Sequence, residues 1–410
     1  MAILYRNSSD KDVTHSSYSS RSTFKKCPRE FQLTRIQGWW SKEHRAAPLF
    51  GRCIEAGLQA FEENDRKEGS GIRVFQKLWE DVKLLPEFKE LIYTATEGSW
   101  EQLLLSGEQM MRLYEVRVHK LPIVRPVFQQ KLRKTIFPGT NLCALENVAI
   151  LDIMSFPRWD HPLLPKIAIE SASIGGDFRE LIIDIKTSGK DFPTDLVALD
   201  PQLAEYAWQT RIPDVAFLWF VKAGHGLKKG SKVSLLATAD ALWAGWEGFV
   251  IETADPVGPL PENEQDDRPF CVYIGTYDTL TRYEEAIKGL RGKARDAAQL
   301  KFLDDHRAGG SIMAVSSLDV TKQRLQFAAA RLSEQEMDDV GRSVAQATVE
   351  MVRAHEQDFY EKVPGVRFPN EKCNFCSMRW ICLNRPEERD KNLSKRGEEW
   401  LDGVLDAEVE

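Results

Sequence analysis

Asp184 and Lys186 stand two residues apart in Leu181-Ile182-Ile183-Asp184-Ile185-Lys186-Thr187-Ser188, an apolar run that reads as a β-strand. Side chains alternate along a strand, so the carboxylate and the ammonium share one face. That pair suits phosphodiester hydrolysis, in which carboxylate oxygens hold a hard Mg²⁺ that polarises the phosphate while a cation orients or activates the attacking water. On an exposed strand Asp-x-Lys is more often a solvated pair, so the reading needs support from elsewhere. Asp152 offers it: it follows the apolar run Val148-Ala149-Ile150-Leu151, and a carboxylate at the end of a buried strand must be capped in a turn, hydrogen-bonded, paired or bound to metal. Glu55 is a third candidate, at the margin of the stripe Phe50, Ile54, Leu58 and Phe61, where a solvated helix face is the ordinary alternative. Gln202 and Tyr206 lie four residues apart on a helix that Asp200-Pro201 would start. Both can hydrogen-bond a phosphate or steady a catalytic neighbour; core packing of Tyr206 and hydration of Gln202 are the plainer roles.

The second constellation is made of thiols. Cys373, Cys376 and Cys382 form C-x2-C-x5-C, and Cys27 stands alone in Cys27-Pro28-Arg29-Glu30-Phe31. Seven cysteines, an odd number behind a polar, serine-rich start that is unlike a secretory leader, fit reduced thiols available to a metal in a cytoplasmic protein. Closed zinc sites usually pair two short knuckles, whereas a distant cysteine joined to a tight triplet suits four-thiolate iron-sulfur ligation; zinc is the alternative. Cys53, Cys143 and Cys271 read as isolated buried thiols.

These residues need a scaffold to position them. A helix capped by Ser19 or Ser20 is expected to run through Phe24, Cys27 and Phe31 toward Gly38, and another from Pro48 to about Glu63, with helical pattern continuing to about Leu113. Strands are expected at Lys131–Ile136, Asn147–Met154, Leu181–Lys186 and Val215–Val221, with a helix at Asp200–Thr210. The Gly224–Gly230 turn then suggests a hairpin from Val215–Val221 to Lys232–Ala237. A charged helix is expected from Tyr283 to Asp305 and a long amphipathic one from Ser333 to about Lys362, before Pro364 and Pro369 break the chain. The order helical, mixed, helical divides the chain into 1–124, 125–240, 241–332 and 333–410, the last with an acidic tail.

The 410 residues, 42% hydrophobic, can bury a sizeable core, and no apolar stretch reaches the roughly 20 residues that span a bilayer, so no membrane partner is expected. A net charge of −7 argues against a nucleic-acid coat working by excess positive charge. Local clusters remain candidates for phosphate contact: Lys25, Lys26 and Arg29; Lys131, Arg133 and Lys134; Lys288, Arg291, Lys293 and Arg295. No G-x-x-x-x-G-K-[S/T] occurs, so the chain carries no P-loop motor.

Asp152, then Asp184-Ile185-Lys186, then Gln202-Leu203-Ala204-Glu205-Tyr206 resemble the second, third and Q-x-x-x-Y motifs of the RecB-type PD-(D/E)XK nucleases. With Ser17-Tyr18-Ser19-Ser20 through Cys27-Pro28 and the cysteine triplet, the chain is similar to their iron-sulfur branch: the CRISPR-associated exonucleases, the AddB nuclease domain and phage recombination exonucleases. The resemblance spans Ser17 to Leu383, with few motifs between Gly224 and Leu332. It implies an α/β restriction-endonuclease-like core, a central mixed β-sheet flanked by helices, whose N- and C-terminal segments are joined by a [4Fe-4S] cluster on Cys27, Cys373, Cys376 and Cys382. It also implies Mg²⁺ or Mn²⁺ held by Asp152, Asp184 and the Ile185 carbonyl, with Lys186 organising the water. The implied activity is exonucleolytic cleavage of single-stranded DNA or duplex ends in recombination, repair or CRISPR adaptation. Any helicase, annealase or CRISPR adaptation partner would be a separate chain. Two departures stand out. Gly51-Arg52-Cys53-Ile54-Glu55 puts Glu55 where the RecB pattern has a metal-ligating histidine, which would shift the preference toward Mg²⁺. A long segment with Pro157, Pro162 and Pro165 separates Asp152 from Asp184, which suggests an inserted loop. The competing function is a catalytically quiet DNA-end-binding or scaffold subunit with a structural cluster.

Overall fold

The computed structural model describes residues 4–6, 12–85, 88, 91–94, 97–140, 142–157, 159–166, 179–236, 246–253, 269–361, 373 and 376–395. Most of the expected inserted loop (167–178), the segment with Pro364 and Pro369, and the acidic tail lie outside these residues.

Four runs, Glu146–Ser155, Leu181–Ser188, Asp214–Val221 and Arg324–Arg331, lie side by side as the centre of a mixed sheet. Leu181–Ser188 and Asp214–Val221 are parallel, and the other two junctions are antiparallel. Val127–Thr135 pairs antiparallel along Glu146–Ser155, which also takes His15–Ser16 as a short parallel partner. The two parallel strands are covered on both faces, which is why their sequences are nearly continuous apolar runs and lack polar alternation.

Helices form the layers on either side. Ala46–Glu63, Ser70–Leu84 and Trp100–Arg117 pack on one face against Ile153, Ile183, Ile185, Leu218 and Phe220. The first of these buries Phe50, Cys53, Ile54, Gly57, Leu58 and Phe61, whose spacings of three and four make a single stripe. It meets Ser70–Leu84 through glycine: a Cβ on Gly71 would stand 2.6 Å from the Gly57 carbonyl oxygen. Pro201–Thr210 and Glu334–Glu356 cover Ile182, Val215, Phe217 and Ala328 on the other face. The chain is thus mixed α/β, a central mixed sheet flanked by helices.

A second, five-stranded antiparallel sheet has the order Ile312–Ser316, Cys271–Gly275, Glu247–Thr253, Lys232–Leu235, Val320–Thr321. The expected hairpin between Val215–Val221 and Lys232–Ala237 does not form. Both edges of Asp214–Val221 are taken by Leu181–Ser188 and Arg324–Arg331, so the Gly224–Gly230 connection feeds Lys232–Leu235 into the second sheet. The charged helix expected over Tyr283–Asp305 is two helices, Tyr277–Ile287 and Gly292–Ala308, parted at Gly289 and Gly292, whose φ angles of 76° and 52° suit residues without a Cβ.

The N- and C-terminal segments of the described chain meet directly. Trp39–Ser41 pairs with Leu393–Lys395, and Leu33, Met378 and Leu393 share a small core. Among the described residues no helix is long and apolar enough to cross a membrane.

Candidate active site

The ladder between Glu146–Ser155 and Leu181–Ser188 pairs Ile153 with Ile183, Met154 with Ile182 and Ser155 with Leu181, and stops. One further step of that register would set Asp152 opposite Asp184 on the same face, and like charges directly opposite oppose pairing. Asp152 therefore sits inside its strand, where the sequence suggested a strand end, at the point where the two strands part. Its Oδ2 accepts the Ile185 N–H at 2.8 Å, so a side chain replaces the next ladder bond.

Asp184 is fully buried at 0% exposure, and neither of its oxygens has an aligned hydrogen-bond donor. Lys186 Nζ lies 2.5 Å from Asp184 Oδ2 and donates to Gln202 Oε1 at 3.2 Å; Gln202 Nε2 in turn donates to the Tyr206 hydroxyl at 2.6 Å. The helix carrying Gln202 and Tyr206 begins where Asp200 accepts the Gln202 and Leu203 N–H groups at 3.0 and 2.9 Å. A buried ion pair from Glu205 to Arg21 ties the same helix to Tyr18–Lys26, and Asn147 donates to Glu205 at 3.2 Å and to Gln209 at 2.8 Å. Sequence reasoning missed Arg21 and Glu205, whose pairing spans 184 positions and leaves no local pattern.

Electrostatics bind these groups into one site. Burial, with Asp184 adding, pushes the Glu55 carboxyl up to about 7 against the opposing fields of Lys186 and Arg52. Asp152 is raised by burial and by Glu55, and relieved in part by the Ile185 N–H and Lys186. Asp184 is raised furthest, by burial and by Asp152, with Lys186 opposing. Burial favours the neutral form of Lys186, but Asp184, Asp152 and Asp200 outweigh it and hold the ammonium charged. Three carboxylates around one ammonium leave an excess of two negative charges when all are ionised, a debt that one divalent cation would cancel. The buried carboxylate oxygens are the hard donor set that such an ion takes. No ready-made cage of three or more His, Cys, Asp or Glu groups occurs among the described residues.

The cysteines are arranged differently from the expected continuous helix. Tyr18–Lys26 ends at Cys27, which is extended at φ −162° because the residue before a proline is driven out of the helical region. Cys27 then caps the turn Pro28–Phe31, its Sγ accepting the Glu30 N–H at 3.4 Å. Cys376 is pushed up to about 11 by burial, with Glu30 and Cys382 adding to the rise. Cys27, Cys376 and Cys382 thus share a neighbourhood around Glu30, and the Cys376 N–H reaches the carbonyl of exposed Cys373 at 3.3 Å. The Glu30 N–H favours a thiolate at Cys27, whereas burial opposes one at Cys376. Of the basic clusters, Lys134 serves the fold: its Nζ donates to the Trp208 carbonyl and lies 4.5 Å from that ring's centre. No protein-family model and no curated protein matches the chain.

Proposed function

We propose that the chain is a Mg²⁺- or Mn²⁺-dependent deoxyribonuclease of the PD-(D/E)XK superfamily, an exonuclease acting on single-stranded DNA or duplex ends. The observation that carries this reading is Asp184, wholly buried beside Asp152 where two strands part, with the Lys186 ammonium against it. Burying carboxylates together around one ammonium is unfavourable, and such groups cluster where a ligand completes them. The mixed sheet with helices on both faces supports a restriction-endonuclease-like core.

In this reading Asp152, Asp184, Glu55 and the Ile185 carbonyl would hold the cation, which would supply Lewis-acid chemistry for phosphodiester hydrolysis. Lys186 stays an ammonium in its carboxylate surroundings, so it acts as a donor that orients water and offsets charge on the phosphate, and not as the base. Gln202 fixes the Lys186 head group, and Tyr206 fixes Gln202. A [4Fe-4S] cluster on Cys27, Cys373, Cys376 and Cys382 would brace the two ends of the chain, outside the chemistry.

End-labelled single- and double-stranded DNA, incubated with anaerobically purified protein in Mg²⁺, Mn²⁺ or EDTA, tests the reading. Degradation that needs the metal and falls roughly 10²–10³-fold in Lys186→Ala is expected, the scale of losing one preorganised charge-stabilising donor. DNA binding that survives Asp184→Asn without turnover by the wild type would favour the scaffold alternative.

A further inference from the structure

Residues two apart in an extended strand share a face. Glu146–Ser155 breaks that rule once. Asn147 bonds to Glu205 and Gln209, and Ala149 and Leu151 pack in the same layer under Pro201–Thr210, whereas Ile153 belongs to the core of the opposite face. The neighbouring strand Val127–Thr135 changes sides at the same level, with Phe128 against the core under Ala46–Glu63 and Leu132 against the one under Pro201–Thr210. The strand pair therefore turns over between Leu151 and Ile153, and Asp152 is the residue at the turn.

The turn has a local cause in the neighbouring strand. The ladder pairs Val127 with Met154 and Phe128 with Ile153, resumes at Gln130 with Leu151, and omits Gln129, which stands opposite Asp152. Gln129 has a φ of 50°, in the left-handed region where a residue with a Cβ is uncommon. Local breaks of this kind bend a strand and re-aim side chains beside active sites. On its other edge the ladder with Leu181–Ser188 ends at Ile153, so Asp152 is bridged to neither neighbouring strand. Its carboxylate takes the Ile185 N–H at 2.8 Å where that ladder would have continued. The Gln129 side chain is exposed, so what the position supplies is its backbone conformation.

We infer that Gln129 is a positioning residue of the site: its left-handed backbone turns the strand pair over at Asp152 and so aims that carboxylate at the Ile185 N–H. The inference rests on the nuclease reading for what Asp152 does and deepens it by naming what sets its geometry. The test compares Gln129→Gly, which accepts the conformation, with Gln129→Val, whose branched Cβ resists it and favours a continuous ladder. Amide hydrogen exchange at Ile185 in EDTA reads the Asp152 contact without any metal. Wild type and Gln129→Gly should protect Ile185 alike, and Gln129→Val should exchange it roughly tenfold faster, the scale of losing one hydrogen bond to a charged group. Mn²⁺ affinity of the folded proteins, read by electron paramagnetic resonance, should follow the same order and fall about 10–100-fold in Gln129→Val alone, the scale of losing a ligand's support. If the valine variant does not fold, Gln129→Ala takes its place, since it disfavours the left-handed region without a branch. Ile185 protection equal in all variants, whatever their urea midpoints, would mark a role in stability alone and overturn the inference, as would protection lost in Gln129→Gly as well. Faster Ile185 exchange confined to Gln129→Val, without any degradation of DNA by the wild type in Mg²⁺ or Mn²⁺, would uphold the turn and sink the nuclease reading. Metal-dependent degradation at one rate by wild type and Gln129→Val, with Ile185 protected in both, would do the reverse.

Discussion

Replacing Asp184 by the isosteric asparagine should stabilise the metal-free protein, although it removes the charged partner of Lys186. Asp184 is fully buried and faces the Asp152 charge, so its ionised form is disfavoured in the fold. Lys186 loses its 2.5 Å contact but keeps Gln202 and the fields of Asp152 and Asp200. Relief of an incompletely compensated buried polar group is worth about 1–3 kcal/mol, which is the expected gain for Asp184→Asn in EDTA. Magnesium should reverse the order. At a concentration 100 times its dissociation constant, a bound ion adds about 2.7 kcal/mol to the wild type and little to a variant that has lost a ligand. Urea denaturation of both proteins with EDTA and with Mg²⁺ reads all four values. A variant less stable than the wild type in EDTA, or one that gains as much from Mg²⁺, would refute the reasoning.

Cys376→Ser should lower iron and sulfide content and thermal stability before it changes Mg²⁺ affinity, as read by metal analysis and calorimetry; zinc in place of iron would identify the other clasp. Glu97 and Lys222 form a buried pair at 2.6 Å, and although burial alone would raise the Glu97 carboxyl, Lys222 and the Thr94 N–H hold it below its ordinary value. A depressed carboxyl stabilises the fold above its unfolded pKa of about 4.3 and loses that contribution as pH falls through the lower folded value, so Glu97→Gln should flatten acid denaturation below pH ~4. At neutral pH the same variant should lose about 3–5 kcal/mol, because Lys222 is left buried without its partner charge. A Cβ on Gly107 would lie 1.9 Å from the Phe75 ring, so Gly107→Ala should destabilise by about 1–3 kcal/mol in denaturant titration.

The strands and helices that carry Asp184, Lys186, Gln202 and Tyr206 were legible because each is a local pattern: an apolar run, or a capped helix with side chains four residues apart. The break at Cys27 was also written locally, in Pro28, and the helical periodicity on either side concealed it. The fate of Lys232–Leu235 was not legible, since which strand fills an open edge depends on Arg324–Arg331, a hundred residues away. Buried charges were the least visible. Arg21, Glu205, Glu97 and Lys222 look like solvated surface until distant partners bring them together. Asp152 read as a strand end because a carboxylate interrupts an apolar run; the structure keeps the strand going and ends only the ladder.

The most direct test is release of labelled nucleotides from a DNA end by wild type and Asp184→Asn, side by side in Mg²⁺ and in EDTA. The account predicts release by the wild type in Mg²⁺ alone, and none above background by a folded Asp184→Asn protein. Release by both proteins, or by neither, would contradict it.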